Sequence, residues 1–238
     1  MKKIVGFLLV FMFVVAGLAT NAGALGIGGY FTTMSGSSEW DVDLDADDEA
    51  LEDASSNWDA EEGTAGFGFV LDTAVARDQL FNYRFQIGLE SSKIELELPS
   101  GVDATAKLSG LAITNDFGVG VVRTKNARVW IGPELRLAFK GGNIEFDDEP
   151  DNLDIDDDWT IGTFQYGIGP VVGGNFHIGN ALTLAVKTGV IWETMTGKSD
   201  LKIESDDGDD LDFDLDYESS DVYFFITFSV FYRLGDTF

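Results

Sequence analysis

The chain has 238 residues, of which 45% are hydrophobic and 13% aromatic, and its 42 acidic residues against 15 Lys and Arg give a net charge of −27. This charge excludes nucleic acid as a partner, because phosphate binding requires a basic surface, and the aromatic content is too high for a disordered chain. Cysteine is absent, which excludes disulfides, thiolate metal sites and a lipid anchor on cysteine.

The first 24 residues have the features of a secretory signal peptide. Lys2 and Lys3 precede an apolar run, Ile4 to Ala19, and a small-residue cleavage site, Ala22-Gly23-Ala24, follows it. The run is shorter than the about 20 apolar residues of a transmembrane helix. We therefore expect cleavage after this site and one mature domain, residues 25–238.

The mature chain consists of segments in which apolar and polar residues alternate with a period of two. Phe81, Tyr83 and Phe85, for example, alternate with Asn82 and Arg84. This is the pattern of β-strands with one apolar face. It predicts eight strands, at 25–35, 64–76, 80–98, 103–122, 127–146, 160–178, 181–196 and 220–234.

The connections between these strands are of two kinds. Short turns follow the even-numbered strands, around Arg77, Arg123 to Arg128 and Gly179-Asn180. Long connections follow the odd-numbered strands and contain 36 of the 42 acidic residues; they are 36–63, 90–109, 141–159 and 197–221.

An even number of strands, with short turns at one end and long loops at the other, is typical of bacterial transmembrane β-barrels. We therefore predict an all-β fold: a membrane-spanning antiparallel up-and-down β-barrel of eight strands, with the four acidic connections outside the cell. The alternative, a soluble secreted β-sandwich, gives no reason for sorting loops by length and charge.

The polar faces of the predicted strands carry five acids and five bases. Charge that is shielded from water is tolerated only when it is paired. The equal numbers therefore predict a charge network in the lumen, formed by Asp72, Arg84, Glu90, Asp116, Glu134, Arg136, Lys140, Lys187, Glu193 and Arg233.

The C-terminal strand alternates apolar residues from Val222 to Leu234, and the chain ends in Phe238. This resembles the terminal aromatic signal by which the barrel-assembly machinery recognises outer-membrane barrels. The whole mature chain resembles the small eight-stranded barrels: the OmpA transmembrane domain and the OmpX-like and OmpW-like proteins. The resemblance implies a bacterial outer-membrane location and contact with membrane lipid and lipopolysaccharide, and we expect a monomer.

One acidic stretch has two interpretations. Its acids fit the twelve-residue ligand spacing of an EF-hand calcium loop; they are Asp41, Asp43, Asp45, Asp47, Glu49 and Glu52. The first three also alternate with Val42 and Leu44, as on one face of a strand. We expect no required cofactor, and weak binding of divalent cations, Ca²⁺ or Mg²⁺, by these acids.

Catalytic motifs are scarce, and we expect no catalytic residue. The single histidine, His177, lies beside a short turn, at the opposite end from the acidic connections, and no G-x-S-x-G motif occurs. The preferred hypothesis is a non-enzymatic barrel whose acidic loops serve cation-mediated surface interaction, adhesion or envelope integrity. The alternatives are a narrow cation-preferring channel for small solutes, as in OmpW-like proteins, and an outer-membrane enzyme.

Overall fold

The computed structural model describes the strands and the short turn at 124–126. The described residues are 25–46, 54–73, 80–97, 103–146, 154–155, 160–179, 181–204 and 211–234. The predicted signal peptide, residues 1–24, and the predicted assembly signal, Phe238, lie outside these ranges. No helix in the described part of the chain is long and apolar enough to cross a membrane.

Eight long antiparallel strands form one closed sheet. Each strand pairs with the next in sequence, and the last strand pairs with the first. Their bounds are β1 Leu25–Ala46, β2 Ala54–Asp72, β3 Phe81–Glu97, β4 Asp103–Arg123, β5 Ala127–Phe146, β6 Thr160–Ile178, β7 Leu182–Glu204 and β8 Leu211–Leu234. A two-residue strand, Asp154–Ile155, pairs with the end of β7. The predicted fold, an eight-stranded up-and-down barrel, is confirmed.

The register fixes the tilt of the strands. We follow each residue to its directly paired partner on the next strand, starting at Phe31 of β1. The path passes through Phe164 of β6, Thr196 of β7 and Glu218 of β8. The path returns to β1 at Asp41, so the shear is ten residues (41 − 31). With eight strands this corresponds to a tilt of about 40°. A barrel of this size has an interior that side chains can fill.

Several strands are longer than the sequence predicts. β1 continues to Ala46, β2 begins at Ala54, β7 continues to Glu204 and β8 begins at Leu211. Much of the predicted connections 36–63 and 197–221 is therefore strand, and in the predicted connection 90–109 the described parts, 90–97 and 103–109, pair as strands of β3 and β4. The barrel has a turn end, with the three short turns, and a loop end, with the long connections. Gly179, with φ of 58°, forms the β6–β7 turn in the left-handed region that favours glycine.

The two faces of the sheet exchange their polarity along the barrel. Toward the turn end the outward side chains form an apolar belt, whose last ring at the loop end is Phe31, Phe67, Leu89, Leu111, Phe139, Phe164, Trp192 and Val222, all exposed. We call the parts of the strands beyond this ring the extension. There the outward side chains are polar and most of the inward ones are apolar, as in a water-soluble barrel.

Candidate functional site

An arginine lies at the centre of the charged lumen. Arg136 of β5 reaches across to Glu90 of β3 and to Glu193 of β7, with Nη1 at 2.5 Å from Glu193 Oε2 and Nη2 bonded to Glu90 Oε2. All three side chains are at most 2% exposed. The planar guanidinium donates to both carboxylates at once, which a lysine cannot do in the same geometry.

A lysine forms the next layer toward the turn end. Lys187 Nζ lies 3.0 Å from Asp116 Oδ1 and 2.5 Å from Glu134 Oε2. It also lies over the ring of Phe225, at 5.4 Å from the centroid. The Lys187 ammonium group therefore bridges two acids inside the barrel, one from β4 and one from the neighbouring strand β5.

A third layer closes the lumen near the turn end. Arg84 pairs with Asp72 at 2.5 Å and donates to Asn175 Oδ1 at 2.9 Å. Its guanidinium lies between the rings of Trp130 and Phe231, at 5.1 and 5.2 Å from their centroids. Another predicted base, Arg233, is buried and donates to the carbonyl of Gly179 in the β6–β7 turn.

Three further buried charges were missed by the sequence analysis: Glu62, Arg128 and Asp221. Glu62 faces Lys140, whose Nζ is 3.3 Å from Glu62 Oε1 and 3.6 Å from Glu90 Oε2. The alternation of Trp58, Ala60 and Glu62 with outward acids would have revealed Glu62, but this segment was assigned to a connection because of its acids.

Glu62 lies in the extension, beyond the apolar belt, and is held by several donors. Thr64 Oγ1 donates to Oε1 at 2.6 Å, and Tyr223 OH donates to Oε2 at 2.6 Å. Burial opposes ionisation of Glu62, but the charge of Lys140 and the hydroxyl donors outweigh it and lower its pKa to about 2. Glu62 is therefore an ionised member of the network.

An apolar core fills the lumen of the extension. All eight strands contribute to it, including Trp40, Ile94, Leu108, Ile144 and Leu215. Trp40 stacks on Tyr217 with ring centroids 5.1 Å apart, and Tyr217 OH donates to the carbonyl of Gly162 at 2.8 Å. Burial raises the pKa of the Tyr217 phenol, which stays protonated. The core therefore lies across the lumen toward the loop end, with side chains from all eight strands.

A cavity of about 10 Å³ lies between the Arg136 and Lys187 layers, beside Tyr30 and Gln86. This is room for about one water molecule. In the described part of the barrel, ion pairs therefore line the lumen of the belt, and mostly apolar side chains line the lumen of the extension.

The predicted metal residues divide into two groups. Asp41, Asp43 and Asp45 lie in β1, with Asp41 exposed on the outer face, while Asp47, Glu49 and Glu52 lie outside the described residues. An extended strand differs from the first half of an EF-hand loop, which curls around the ion. The strand interpretation is therefore correct for residues 41–46. Among the described residues, no group of three or more acids or histidines has the geometry of a metal site.

The outer face of the extension carries most of the described surface charge. Its exposed acids are Glu39, Asp41, Asp59, Glu61, Glu95, Glu97, Asp103, Glu145, Asp216 and Glu218, and its exposed bases are Lys93, Lys107 and Lys198. Each of these lysines forms an ion pair, with Glu95, Glu145 and Asp216 respectively. Ten acids against three bases leave this surface strongly negative.

His177 is a buried residue near the turn end. Its Nδ1 lies 3.0 Å from Thr183 Oγ1 across the β6–β7 pair. The two strands place this pair at the opposite end of the barrel from the acidic surface. Histidine and threonine form an interstrand hydrogen bond there.

The apolar outer belt, the charged lumen and the closed sheet of eight antiparallel strands are those of a bacterial outer-membrane β-barrel, and this chain is an outer-membrane protein. No protein-family model and no curated protein matches the sequence.

Solved structures with a similar fold include three outer-membrane proteins. OprG from Pseudomonas aeruginosa is 12% identical, with 90% of this chain and 97% of that chain covered and a TM-score of 0.47. The protease OmpT from Escherichia coli is 9% identical, with 88% and 97% covered and a TM-score of 0.38. The transport unit of the autotransporter AIDA-I from Escherichia coli is 8% identical, with 86% and 90% covered and a TM-score of 0.34.

Proposed function

We propose that the protein is a closed, non-enzymatic barrel that anchors an acidic surface in the outer membrane. The observation that carries this proposal is the apolar core of the extension, to which all eight strands contribute. A solute path would have to cross this core and then the ion-paired layers of Arg136, Lys187 and Arg84. The extension has charged side chains on its outer face and packed apolar side chains inside, as expected for a rigid part that supports a surface.

The acidic surface supports a role in cation-mediated contact. If the loop end faces the outside of the cell, its carboxylates begin about 10 Å beyond the last ring of the lipid-facing belt, on the side of the lipid headgroups. Carboxylate oxygens bind Ca²⁺ and Mg²⁺, with dissociation constants on the order of 0.1–1 mM in exposed extracellular sites. Divalent cations would then bridge the barrel, as a monomer, to the phosphates of lipopolysaccharide or to another cell surface.

Conductance in planar bilayers tests whether the barrel is closed. The folded full-length protein is expected to give no steady current steps, while an open porin measured in parallel shows that insertion is detected. Steady cation-selective steps would refute the closed barrel and support the alternative of a narrow channel.

Calorimetry tests the acidic surface. Titration of Ca²⁺ into the folded protein is expected to give weak, millimolar binding, and replacing three neighbouring acids, Glu39→Gln, Asp59→Asn and Glu61→Gln, is expected to weaken it. The Asp41→Asn variant shows whether the stretch from Asp41 has a separate role. Absence of heat at 10 mM Ca²⁺ contradicts the cation-mediated role.

Proteolysis of intact cells tests the orientation. A protease specific for acidic residues is expected to cut within 47–53 or 205–210, whereas trypsin should spare the turn-end residues Arg77 and Arg123. Cutting by trypsin at these two arginines would place the turn end outside and remove the basis of the surface role.

The proposal also excludes catalysis at His177, because that side chain is buried at the turn end against Thr183. Purified protein with His177→Ala is expected to match the wild type in lipase and protease assays. A hydrolytic activity that the substitution abolishes would instead support the enzyme alternative.

A further inference from the structure

Two prolines interrupt the hydrogen-bond ladder in the middle of the apolar belt. Pro133 of β5 and Pro170 of β6 stand directly opposite each other, and both side chains are exposed on the outer face. Pairing of β4 with β5 is interrupted between Asp116↔Glu134 and Val119↔Ile131. Pairing of β6 with β7 is likewise interrupted between Ile168↔Trp192 and Val171↔Gly189. Proline has no N–H and cannot donate to a ladder, which explains both gaps.

Two backbone carbonyls face these prolines. A Cβ atom added at Gly132 would lie 1.8 Å from Phe117 O, and one added at Gly169 would lie 1.8 Å from Val190 O. The two oxygens therefore point at the strands that carry Pro133 and Pro170, where a neighbouring residue other than proline would donate its N–H. Water cannot take the place of that donor in the hydrocarbon core of a membrane.

Nearby polar side chains on the outer face form hydrogen bonds within the protein. Tyr83 OH donates to Asn115 Oδ1 at 2.6 Å, and Thr188 Oγ1 donates to Phe225 O at 2.7 Å. The two proline-facing carbonyls therefore differ from these groups, because the residue opposite each of them has no proton to offer.

An apolar groove of about 800 Å³ lies on the lipid-facing surface over these positions. Its lining includes Ile131, Pro133, Ile168, Pro170, Val190 and Trp192. A second groove, of about 690 Å³, shares Ile168 and Trp192, and its lining also includes Arg136, Glu193 and Asp221. The first groove is continuous with the belt that contacts lipid, and residues of β6 and β7 form much of its lining.

We propose that this groove binds a lipid acyl chain that carries a hydroxyl group, with the hydroxyl donating to Phe117 O or Val190 O. The apolar lining accommodates the hydrocarbon, and the hydroxyl supplies the proton that proline lacks. One net hydrogen bond distinguishes this chain from an unsubstituted one, which corresponds to roughly a threefold to tenfold preference.

Quenching of Trp192 by brominated acyl chains tests the proposal. Trp192 is 55% exposed in the groove, whereas Trp40 and Trp58 are buried in the extension and Trp130 is buried in the lumen. The folded full-length protein is loaded with a brominated fatty acid, which is then displaced by stearic acid or by stearic acid hydroxylated at mid-chain. A Trp192→Phe variant identifies the signal of this residue.

The hydroxylated acid is expected to displace the brominated chain at a threefold to tenfold lower concentration. The double variant Pro133→Ala and Pro170→Ala restores both N–H donors and should reduce the preference to less than twofold; the single variants show which carbonyl is used. Equal displacement by the two acids in the wild type refutes the proposal without any variant. It is also refuted if the double variant keeps the preference, or if crosslinking shows that a second copy of the chain covers Trp192.

Discussion

Replacement of Arg136 by leucine is the most direct test of the ion-paired lumen. The substitution removes the positive charge that contacts both Glu90 and Glu193, whose side chains are each 2% exposed. Glu90 keeps Lys140 as a neighbour at 3.6 Å, whereas the 2.5 Å ion pair of Glu193 is lost. Removing one partner of a buried ion pair costs about 3–5 kcal/mol, because a buried charge is left uncompensated. We therefore expect Arg136→Leu to lower the free energy of unfolding by this amount.

Two matched variants separate the charge from the packing. Arg136→Lys keeps the charge but loses the double contact, and an intermediate loss of about 1–2 kcal/mol is expected. The triple variant Arg136→Leu, Glu90→Gln and Glu193→Gln removes all three charges and should recover most of the stability. The assay is urea-dependent folding of the full chain into lipid vesicles, followed by tryptophan fluorescence and by the gel shift between boiled and unboiled samples. A loss below 1 kcal/mol for Arg136→Leu, or a triple variant no more stable than the single one, would refute the reasoning.

The same unfolding assay checks three further expectations. Gly173→Ala should cost about 1–3 kcal/mol because its Cβ would lie 2.3 Å from the ring of Trp130, whereas Gly162→Ala, with nothing within 4 Å, should change little; equal midpoints would contradict this. The pKa of Glu62 is lowered from 4.5 to about 2, so its ionised form stabilises the fold above pH 4.5 by about 3 kcal/mol. This contribution should disappear as the pH falls toward 2. A Glu62→Gln variant that loses the same stability at pH 2 as above pH 4.5 would disprove it. Lys198→Ala, which breaks an exposed pair, should cost less than about 1 kcal/mol.

Within the belt, the sequence was sufficient to predict the strands. A lipid-facing side chain must be apolar and an interior one polar, so a period of two is visible without any partner strand. β3 to β6 were predicted to within a few residues for this reason. The same rule places Arg136 and Glu193 on the inner face, since each alternates with apolar neighbours.

Beyond the belt, the rule that outward side chains are apolar led us to assign strand residues to connections. In β1, the even-numbered residues from Tyr30 to Val42 face inward, but Thr32 lies in the polar lumen of the belt and Trp40 lies in the apolar core of the extension. The outward positions change from Phe31 to Glu39. The acids therefore resembled a solvated loop, although the alternation itself continues without interruption to Ala46.

The pairing of charges across the lumen was not predictable from the sequence. Arg136 and Glu193 are separated by 57 residues, and they meet because the barrel closes with a shear of ten residues. Shear depends on register, and register depends on the whole sheet. A local sequence pattern shows whether a side chain faces the lumen or the lipid. It does not show the position of that side chain along the barrel axis relative to residues of distant strands.

The exchange of polarity along each strand fixes the height of the barrel in the membrane. At a tilt of about 40°, two residues of a strand span about 5 Å along the barrel axis. A displacement of two or three such steps toward the lipid would bring the lowest outward acids, including Glu61 and Glu218, into the hydrocarbon, where each acid costs up to a few kcal/mol. The opposite displacement would expose the ring of Phe31 and Phe67 to water. The extension and the belt therefore limit the vertical position of the barrel, and the carboxylates of the extension begin about 10 Å beyond the last apolar ring.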